Sequence, residues 1–289
     1  AVTGDMNNLS GQEFVGDSGG DIISNILKVA IMTPFFLFGF DVIPQAAEEI
    51  NMPLKRLGKL MIASIGMAVV FYAMIVVAIG YVMNPEQIAA SMADTGMVTA
   101  DAIAIAFSNE AMTKVLIIGG LCGIVTTWNS FLIGGSRVIF SMSKARMLPK
   151  TFSKLHPEYN TPWVAILFLG ILSMIAPLFG RVMLVWIVDA ANFACCLAYC
   201  MVALSFLRLR KTKPNMARPF RVKSGQLIGS LAVLMSGFMA LMYLIPGTNC
   251  SLTWQEWIIV GGWAFIGVLM AIRAVRLYGD DFCSGMNFE

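Results

Sequence analysis

The sequence predicts an all-α membrane protein that crosses the bilayer several times. Of its 289 residues, 58% are hydrophobic and only 13% are charged, and the mean hydropathy is +0.76. A soluble globule needs more polar surface than this composition supplies. The apolar residues form runs of roughly 20 or more, which is the length of a membrane-crossing helix. We count seven such runs, at residues 21–50, 57–83, 113–143, 161–180, 183–209, 226–245 and 254–276.

The basic residues predict how these runs are oriented. Most of the 20 Lys and Arg residues lie at the end of, or just after, the first, third, fifth and seventh runs. Because basic loops stay on the cytoplasmic side, this pattern places the N-terminus outside and the C-terminus in the cytoplasm. We therefore expect a multi-pass protein of the plasma membrane, which in a bacterium is the inner membrane.

The first run contains the most informative feature of the chain. Residues 34–53 read PFFLFGFDVIPQAAEEINMP and place a single carboxylate, Asp41, in an aromatic segment that is interrupted by Gly and Pro. A charge inside a bilayer costs from a few to more than about ten kcal/mol, so it usually faces a partner, a cavity or a solute path. Gly39 loosens the helix beside this carboxylate. The pattern favours a transporter with a substrate site at a broken helix.

The chemistry of such a site follows from the residues at the break. Freed carbonyls of Phe38, Gly39 and Phe40 would accept hydrogen bonds from a substrate ammonium group, because unpaired carbonyls in a membrane are tolerated only where they line a cavity. The aromatic faces would add cation–π attraction for the same group. The alternative is an ordinary Gly kink inside a packed helix.

Further polar and aromatic residues occur in two later runs. Trp128, Asn129 and Phe131 form a patch in the third run, where Trp128 and Phe131 share a helix face. Asn192 lies near one end of the fifth run. We predict that all four residues contact substrate. The alternative for the patch is packing, with Asn129 hydrogen-bonded to another helix.

The segment between the second and third runs, residues 84–112, is long, polar and rich in Ala. It predicts short helices that lie over the external face. They would act as a lid or form a packed surface without gating. The chain shows no nucleophile motif, metal-ligand spacing or phosphate-binding loop, so we predict no enzyme, cofactor, metal site or nucleic-acid partner.

Three segments resemble one family of transporters, the amino acid–polyamine–organocation (APC) permeases. Residues 35–56, FFLFGFDVIPQAAEEINMPLKR, are similar to the sixth helix of that family. Residues 134–163, GGSRVIFSMSKARMLPKTFSKLHPEYNTPW, resemble the end of its eighth helix and the loop into the ninth. Residues 204–222, LSFLRLRKTKPNMARPFRV, look like the loop after its tenth helix.

The resemblance implies a fold and an activity. The seven runs would be helices six to twelve of a twelve-helix permease, with the five preceding N-terminal helices missing. Such a protein carries amino acids or related amines across the bilayer by alternating access, as a proton symporter or a solute exchanger, and its core is an inverted repeat of five plus five helices. The implied segments are an external segment (1–20), the second five-helix repeat (21–209), a basic cytoplasmic loop (210–225), two accessory helices (226–276) and a cytoplasmic tail (277–289).

The resemblance also suggests roles for individual residues. Phe35 falls where family members place an aromatic residue that covers the bound substrate from outside. Asp41 matches an acidic position that is linked to gating and pH response in acid-resistance antiporters. Apart from the resemblance, Glu48 and Glu49 lie at the predicted cytoplasmic end of the run near Lys55 and Arg56, which predicts an inner-gate or loop ion-pair role. The alternatives are a structural role for Asp41 and solvated helix-end charges for the two glutamates.

Two other functions fit parts of the pattern. Seven spans with an external N-terminus also describe a heptahelical receptor, although the Gly-Asp break, the missing initiator Met and the matched loops argue against it. The second alternative is that the chain is a truncated piece of a permease. We expect such a piece not to transport by itself.

Overall fold

The computed structural model describes residues 4–9, 19–45, 47, 53–216, 218, 220–246 and 251–279. Within these ranges the regular structure is helical throughout and contains no β-strand, which confirms the all-α prediction for this part of the chain. The described residues form the following α-helices: α1 (Gly19–Leu37), α2 (Val42–Gln45), α3 (Leu54–Val82), α4 (Pro85–Asp94), α5 (Val98–Phe107), α6 (Glu110–Lys144), α7 (Trp163–Ile175), α8 (Arg181–Thr212), α9 (Gly225–Leu244) and α10 (Trp254–Tyr278). Short 3₁₀ helices occur at Met6–Leu9, Lys150–Ser153 and Ala176–Phe179.

Five of the described helices are long and apolar enough to cross a membrane. They are the segments Lys55–Val82, Glu110–Lys144, Val182–Thr212, Gly225–Leu244 and Trp254–Tyr278. The first and fourth predicted runs contain shorter apolar helices, Ile22–Ile31 within α1 and Trp163–Phe179. Pro177 follows α7 inside a 3₁₀ turn, and Gly180 ends that turn with a φ of +79°. The chain is thus a multi-pass membrane protein, and the count of seven spans stays a prediction.

The chain divides into two compact units, the first formed by Ala1–Ala30 and Leu60–Asn129. In this unit the 3₁₀ helix at Met6–Leu9 is fixed to the end of α3, because the Asp5 amide donates a 2.9 Å hydrogen bond to the Tyr81 carbonyl. The Asn8 side chain donates to the same carbonyl at 3.3 Å. Part of the predicted external segment is therefore folded against a candidate span.

The short helices predicted for residues 84–112 are present as α4 and α5. Asn84 and Gln87 form a capping box at the start of α4. The Asp101 carboxylate in α5 accepts hydrogen bonds from Ser91 at 2.5 Å and from Thr95 at 2.7 Å. Both hydrogen bonds lower the pKa of Asp101, and the bond from Ser91 has the larger effect. The prediction of helices is confirmed, and their role as a lid stays a prediction.

The second unit consists of Ile31–Lys59 and Ser130–Glu289. Here α8 packs against α9 and α10, and a small buried cluster joins them to the end of α1. The buried residues of this cluster are Ile31, Phe193, Cys196, Ala240, Tyr243 and Leu252. The Tyr243 hydroxyl of α9 donates a buried 3.2 Å hydrogen bond to the Ile31 carbonyl. The last turns of α1 are thus held by the helices that follow later in the sequence.

The end of α8 extends three residues beyond the predicted boundary at 209, to Thr212. Basic side chains in a last turn interact favourably with the negative end of the helix dipole, and Arg210 and Lys211 occupy that turn. Arg218 adds hydrogen bonds from its guanidinium to the carbonyls of Lys213 at 2.8 Å and Leu209 at 3.4 Å. The basic residues of the predicted loop at 210–225 therefore also stabilise the last turn of α8.

Candidate functional site

The break that the sequence predicts in its first run is present. α1 ends at Leu37 and α2 begins at Val42, with a turn at residues 38–41 between them. Gly39 adopts a φ of +114°, a backbone conformation that residues with a Cβ atom rarely take. Gly39 is therefore the residue that allows the chain to leave the helix at this point.

The hydrogen bonds of the break are those of tight turns instead of an α-helix. The amides of Phe38, Val42 and Ile43 each donate to the carbonyl three residues earlier, at 3.4, 3.2 and 3.3 Å. Among the described residues, no backbone amide donates to the carbonyls of Leu37 and Phe38. A helix that stops inside an apolar region leaves its last carbonyls without internal partners. These two carbonyls are the acceptors that the break makes available. The prediction of free carbonyls is wrong for Gly39 and Phe40, because the tight turns pair them with the amides of Val42 and Ile43.

Asp41 stabilises the break itself. Its carboxylate oxygen Oδ1 accepts a 3.0 Å hydrogen bond from the Gly39 amide, two residues earlier. The carboxylate is part-buried and also lies close enough to Tyr199 and Cys195 to interact with them electrostatically. The geometry thus favours the structural role that the sequence left open for Asp41. A role in gating or proton coupling stays a prediction.

Tyr199 of α8 completes an aromatic cluster at the break. Its ring centroid lies 6.4 Å from that of Phe38 and 5.8 Å from that of Phe40. Phe35 extends the cluster, with its centroid 6.1 Å from that of Phe38. The Tyr199 hydroxyl is buried and has no hydrogen-bond partner among the described residues. Sequence reasoning did not include Tyr199 among the predicted site residues.

Asn192 lies two turns along α8 from Tyr199. The seven-residue spacing puts both side chains on one helix face, about 10 Å apart along the axis. Asn192 has no solvent exposure, and neither its amide nitrogen nor its amide oxygen has a hydrogen-bond partner in the described part of the chain. A buried polar group without a partner costs about 1–3 kcal/mol, so both residues present binding capacity that the protein itself leaves unused. This spacing is the sequence signal that would have identified Tyr199.

The α6 helix passes close to α2. A Cβ atom on Gly134 would collide with the end of the Gln45 side chain and would lie 3.1 Å from Val42, so the two segments are in close contact at this glycine. Phe131 lies one turn before Gly134 on the same helix face and is 42% exposed. The contact at Gly134 thus brings the second half of α6 to the segment that follows the break.

The remaining predicted site residues have a weaker structural basis. Trp128 and Asn129 are exposed and belong to the first unit, whereas the break belongs to the second. Glu48 and Glu49 lie outside the described residues. The assignment of these four residues to a substrate site or gate stays a prediction.

The fold and the break define a multi-pass helical membrane protein in which an interrupted helix offers backbone and polar side-chain groups next to an aromatic cluster. A family model described as amino acid permease matches residues 2–270. The chain therefore belongs to the amino acid permease family, within the APC superfamily that its motifs resemble.

Several curated relatives support this assignment. The chain is 28% identical to the branched-chain amino acid permease BcaP of Bacillus subtilis (strain 168), over 82% of this chain and 49% of that protein. It is 26% identical to the methylthioribose transporter of the same organism, over 82% of this chain and 48% of that protein. It is also 24% identical to the glutamate/serine transporter AimA of that organism, over 90% of this chain and 46% of that protein. The chain thus spans about half the length of the curated relatives it matches.

Proposed function

We propose that this chain forms one half of a secondary active transporter that moves amino acids or related amines across the plasma membrane. Its N-terminus would lie outside and its C-terminus in the cytoplasm. The predicted spans would comprise the second inverted repeat and two accessory helices, and the N-terminal helices of the same transporter would supply the other half of the pathway. Family membership and the coverage of about half of each relative support this proposal. Because the curated relatives are transporters, they also favour transport over a receptor or an enzyme.

The substrate site in this proposal is the break at residues 38–41. The carbonyls of Leu37 and Phe38 would accept hydrogen bonds from the ammonium group of the substrate, and the rings of Phe38 and Phe40 would attract the same charge. Tyr199 and Asn192 would bind the other polar groups of the substrate. The observation that carries the proposal is the Tyr199 ring against Phe38 and Phe40, with its hydroxyl buried and unpaired among the described residues.

Alternating access would change the environment of the break. In this mechanism the helix bundle rocks about the interrupted helix and opens the site to each side in turn. Asp41 would keep the turn closed through its bond to the Gly39 amide, and protonation of its carboxylate would weaken that bond. The proposal thereby links proton binding to the geometry of the break, with Glu48 and Glu49 at the inner gate.

The relatives provide a second candidate for the substrate. Two of them are named for amino acids, but one is named for methylthioribose, which has no ammonium group. If this chain shares that second type of substrate, the carbonyls at the break would bind hydroxyl groups instead. The two candidates differ in one measurable property, which is the need for a positive charge on the substrate.

Uptake into proteoliposomes tests the proposal. The full-length transporter would be reconstituted and given a radiolabelled amino acid in competition with the same compound lacking its amino group, and with methylthioribose. We expect competition by amino acids only, driven by an imposed pH gradient in a symporter or by internal substrate in an exchanger. The 289-residue chain by itself should give no uptake. Effective competition by the deaminated compound would refute the ammonium site.

A further inference from the structure

The connection between α8 and α9 is strongly basic and lies at a membrane face. The sequence has no Asp or Glu between residues 190 and 255. Both helices are candidate spans, so the residues that join them lie at a surface of the bilayer, whichever side that is. The cationic residues of this connection are Arg208, Arg210, Lys211, Lys213, Arg218, Arg221 and Lys223.

A notch of about 230 Å³ opens in this connection, lined by Leu207, Arg210, Lys211 and Gln226. Arg210 is fixed at its wall, because its guanidinium donates a 3.1 Å hydrogen bond to the Val222 carbonyl and lies 4.7 Å from the centre of the Phe206 ring. The notch therefore has one preorganised cation, and the exposed Lys211 provides a second one.

The Arg210 guanidinium also occupies the space where the Cβ of any residue other than glycine at position 225 would stand. Gly225 is the first residue of α9, and the positive end of that helix dipole therefore faces the same notch. Glycine at this position lets the guanidinium approach the helix start closely. The local sequence thus concentrates positive charge at one point of the connection.

A second basic segment contacts the connection between α8 and α9. The Phe220 ring lies against Gly58 near the start of α3, where a Cβ atom would come within 2.9 Å of it. The exposed Lys55, Arg56 and Lys59 flank this contact in the sequence. The contact thus brings a second basic stretch of the chain close to the connection between α8 and α9.

We propose that the notch at Leu207, Arg210, Lys211 and Gln226 binds the phosphate of an anionic phospholipid such as phosphatidylglycerol. Arg and Lys side chains at helix ends bind phosphodiester oxygens, and basic pockets between membrane helices hold acidic headgroups. Leu227 and Ile228, which are 63% and 49% exposed at the start of α9, provide an apolar surface for the acyl chains. The lipid is favoured over free phosphate because only a lipid would place its phosphate in the notch and its acyl chains against Leu227 and Ile228.

Native mass spectrometry of the 289-residue chain, released from detergent micelles, measures this binding. Phosphatidylglycerol would be titrated against phosphatidylcholine, and inorganic phosphate would be tested separately. We expect one retained phosphatidylglycerol and neither of the other two compounds. The double variant Arg210→Gln/Lys211→Gln should bind it about 30-fold more weakly, since each basic residue near an anionic surface contributes about 1 kcal/mol.

The matched control is Lys150→Gln/Lys154→Gln, which removes the same charge from two exposed lysines of another basic loop that do not line this notch. Its lipid affinity should stay at the wild-type value. Because the Lys211 side chain is exposed, Lys211→Gln alone keeps the test valid if the double variant does not fold, with an expected loss of about five-fold. Equal loss in the control, equal binding of phosphatidylcholine, or competition by inorganic phosphate would overturn the proposal.

Discussion

Replacing Gly39 by alanine tests whether the break is a conformation that the backbone must hold. Gly39 has a φ of +114°, and a Cβ atom built on it meets nothing within 4 Å. The substitution therefore adds no steric conflict with other residues and changes only the backbone preference. A residue held in such a region costs about 1–3 kcal/mol. We expect Gly39→Ala to destabilise the chain by that amount.

The matched control is Gly66→Ala in α3. A Cβ atom at Gly66 also meets nothing within 4 Å, but Gly66 lies within a helix and has an ordinary φ. Alanine in a helix interior is favoured over glycine by about 1 kcal/mol. The two variants add the same methyl group in open space, so they should shift the stability in opposite directions.

Thermal unfolding of the purified chain in detergent micelles measures both variants. About 1 kcal/mol shifts the melting temperature of a domain of comparable size by about 2–4 °C. Gly39→Ala should therefore melt about 2–12 °C below the wild type, while Gly66→Ala should melt slightly above it. If Gly39→Ala melts as high as Gly66→Ala, the segment tolerates a continuous helix and our interpretation of the break is wrong.

Three further predictions address the site and the short helices. Asp41→Asn keeps an oxygen that can accept from the Gly39 amide but loses its charge, so it should lose less stability than Asp41→Ala, which should lose about 1.5–3 kcal/mol. Transport by Asp41→Asn should lose its pH dependence. Tyr199→Phe keeps the ring contacts and removes a buried hydroxyl that has no partner among the described residues, so it should be at least as stable as the wild type while binding substrate more weakly. Tyr199→Ala should be destabilised by less than a fully buried aromatic residue would be, for which the loss is about 3–5 kcal/mol, because Tyr199 is only partly buried. Because hydrogen bonds lower the pKa of Asp101 below its ordinary value of 3.8, they stabilise the folded state above that pH and lose their effect as the pH falls through the lowered pKa. In pH-dependent unfolding, Ser91→Ala should therefore be less stable than the wild type at neutral pH and should lose less stability on acidification.

Much of the fold could be predicted because the membrane leaves few alternatives. Apolar length alone identified the long helices, and the polar, Ala-rich composition of residues 84–112 identified α4 and α5 as short helices. The break was also predictable, since Gly39 and Asp41 are rare neighbours in an apolar run. These features depend on the local sequence and on the apolar environment of the bilayer. Both can be inferred from the sequence alone.

The contacts between distant residues could not be predicted in the same way. Tyr199 meets Phe38 and Phe40 only because α8 packs beside α1, and Phe220 meets Gly58 across a large separation in sequence. The sequence also could not show that the Asp41 carboxylate turns back to the Gly39 amide, since that choice depends on the local backbone angles.

Equilibrium binding to the proposed transporter, with its proposed N-terminal helices, tests most directly whether the break contacts the solute. An amino acid and its deaminated analogue would be compared for the wild type, for Phe40→Leu and for the control Phe179→Leu, which alters a 67% exposed ring. A cation–π contact contributes about 0.5–2 kcal/mol, so Phe40→Leu should bind the amino acid about 2–30-fold more weakly and leave the affinity of the analogue unchanged. Equal affinities of Phe40→Leu and the wild type for the amino acid would contradict the account.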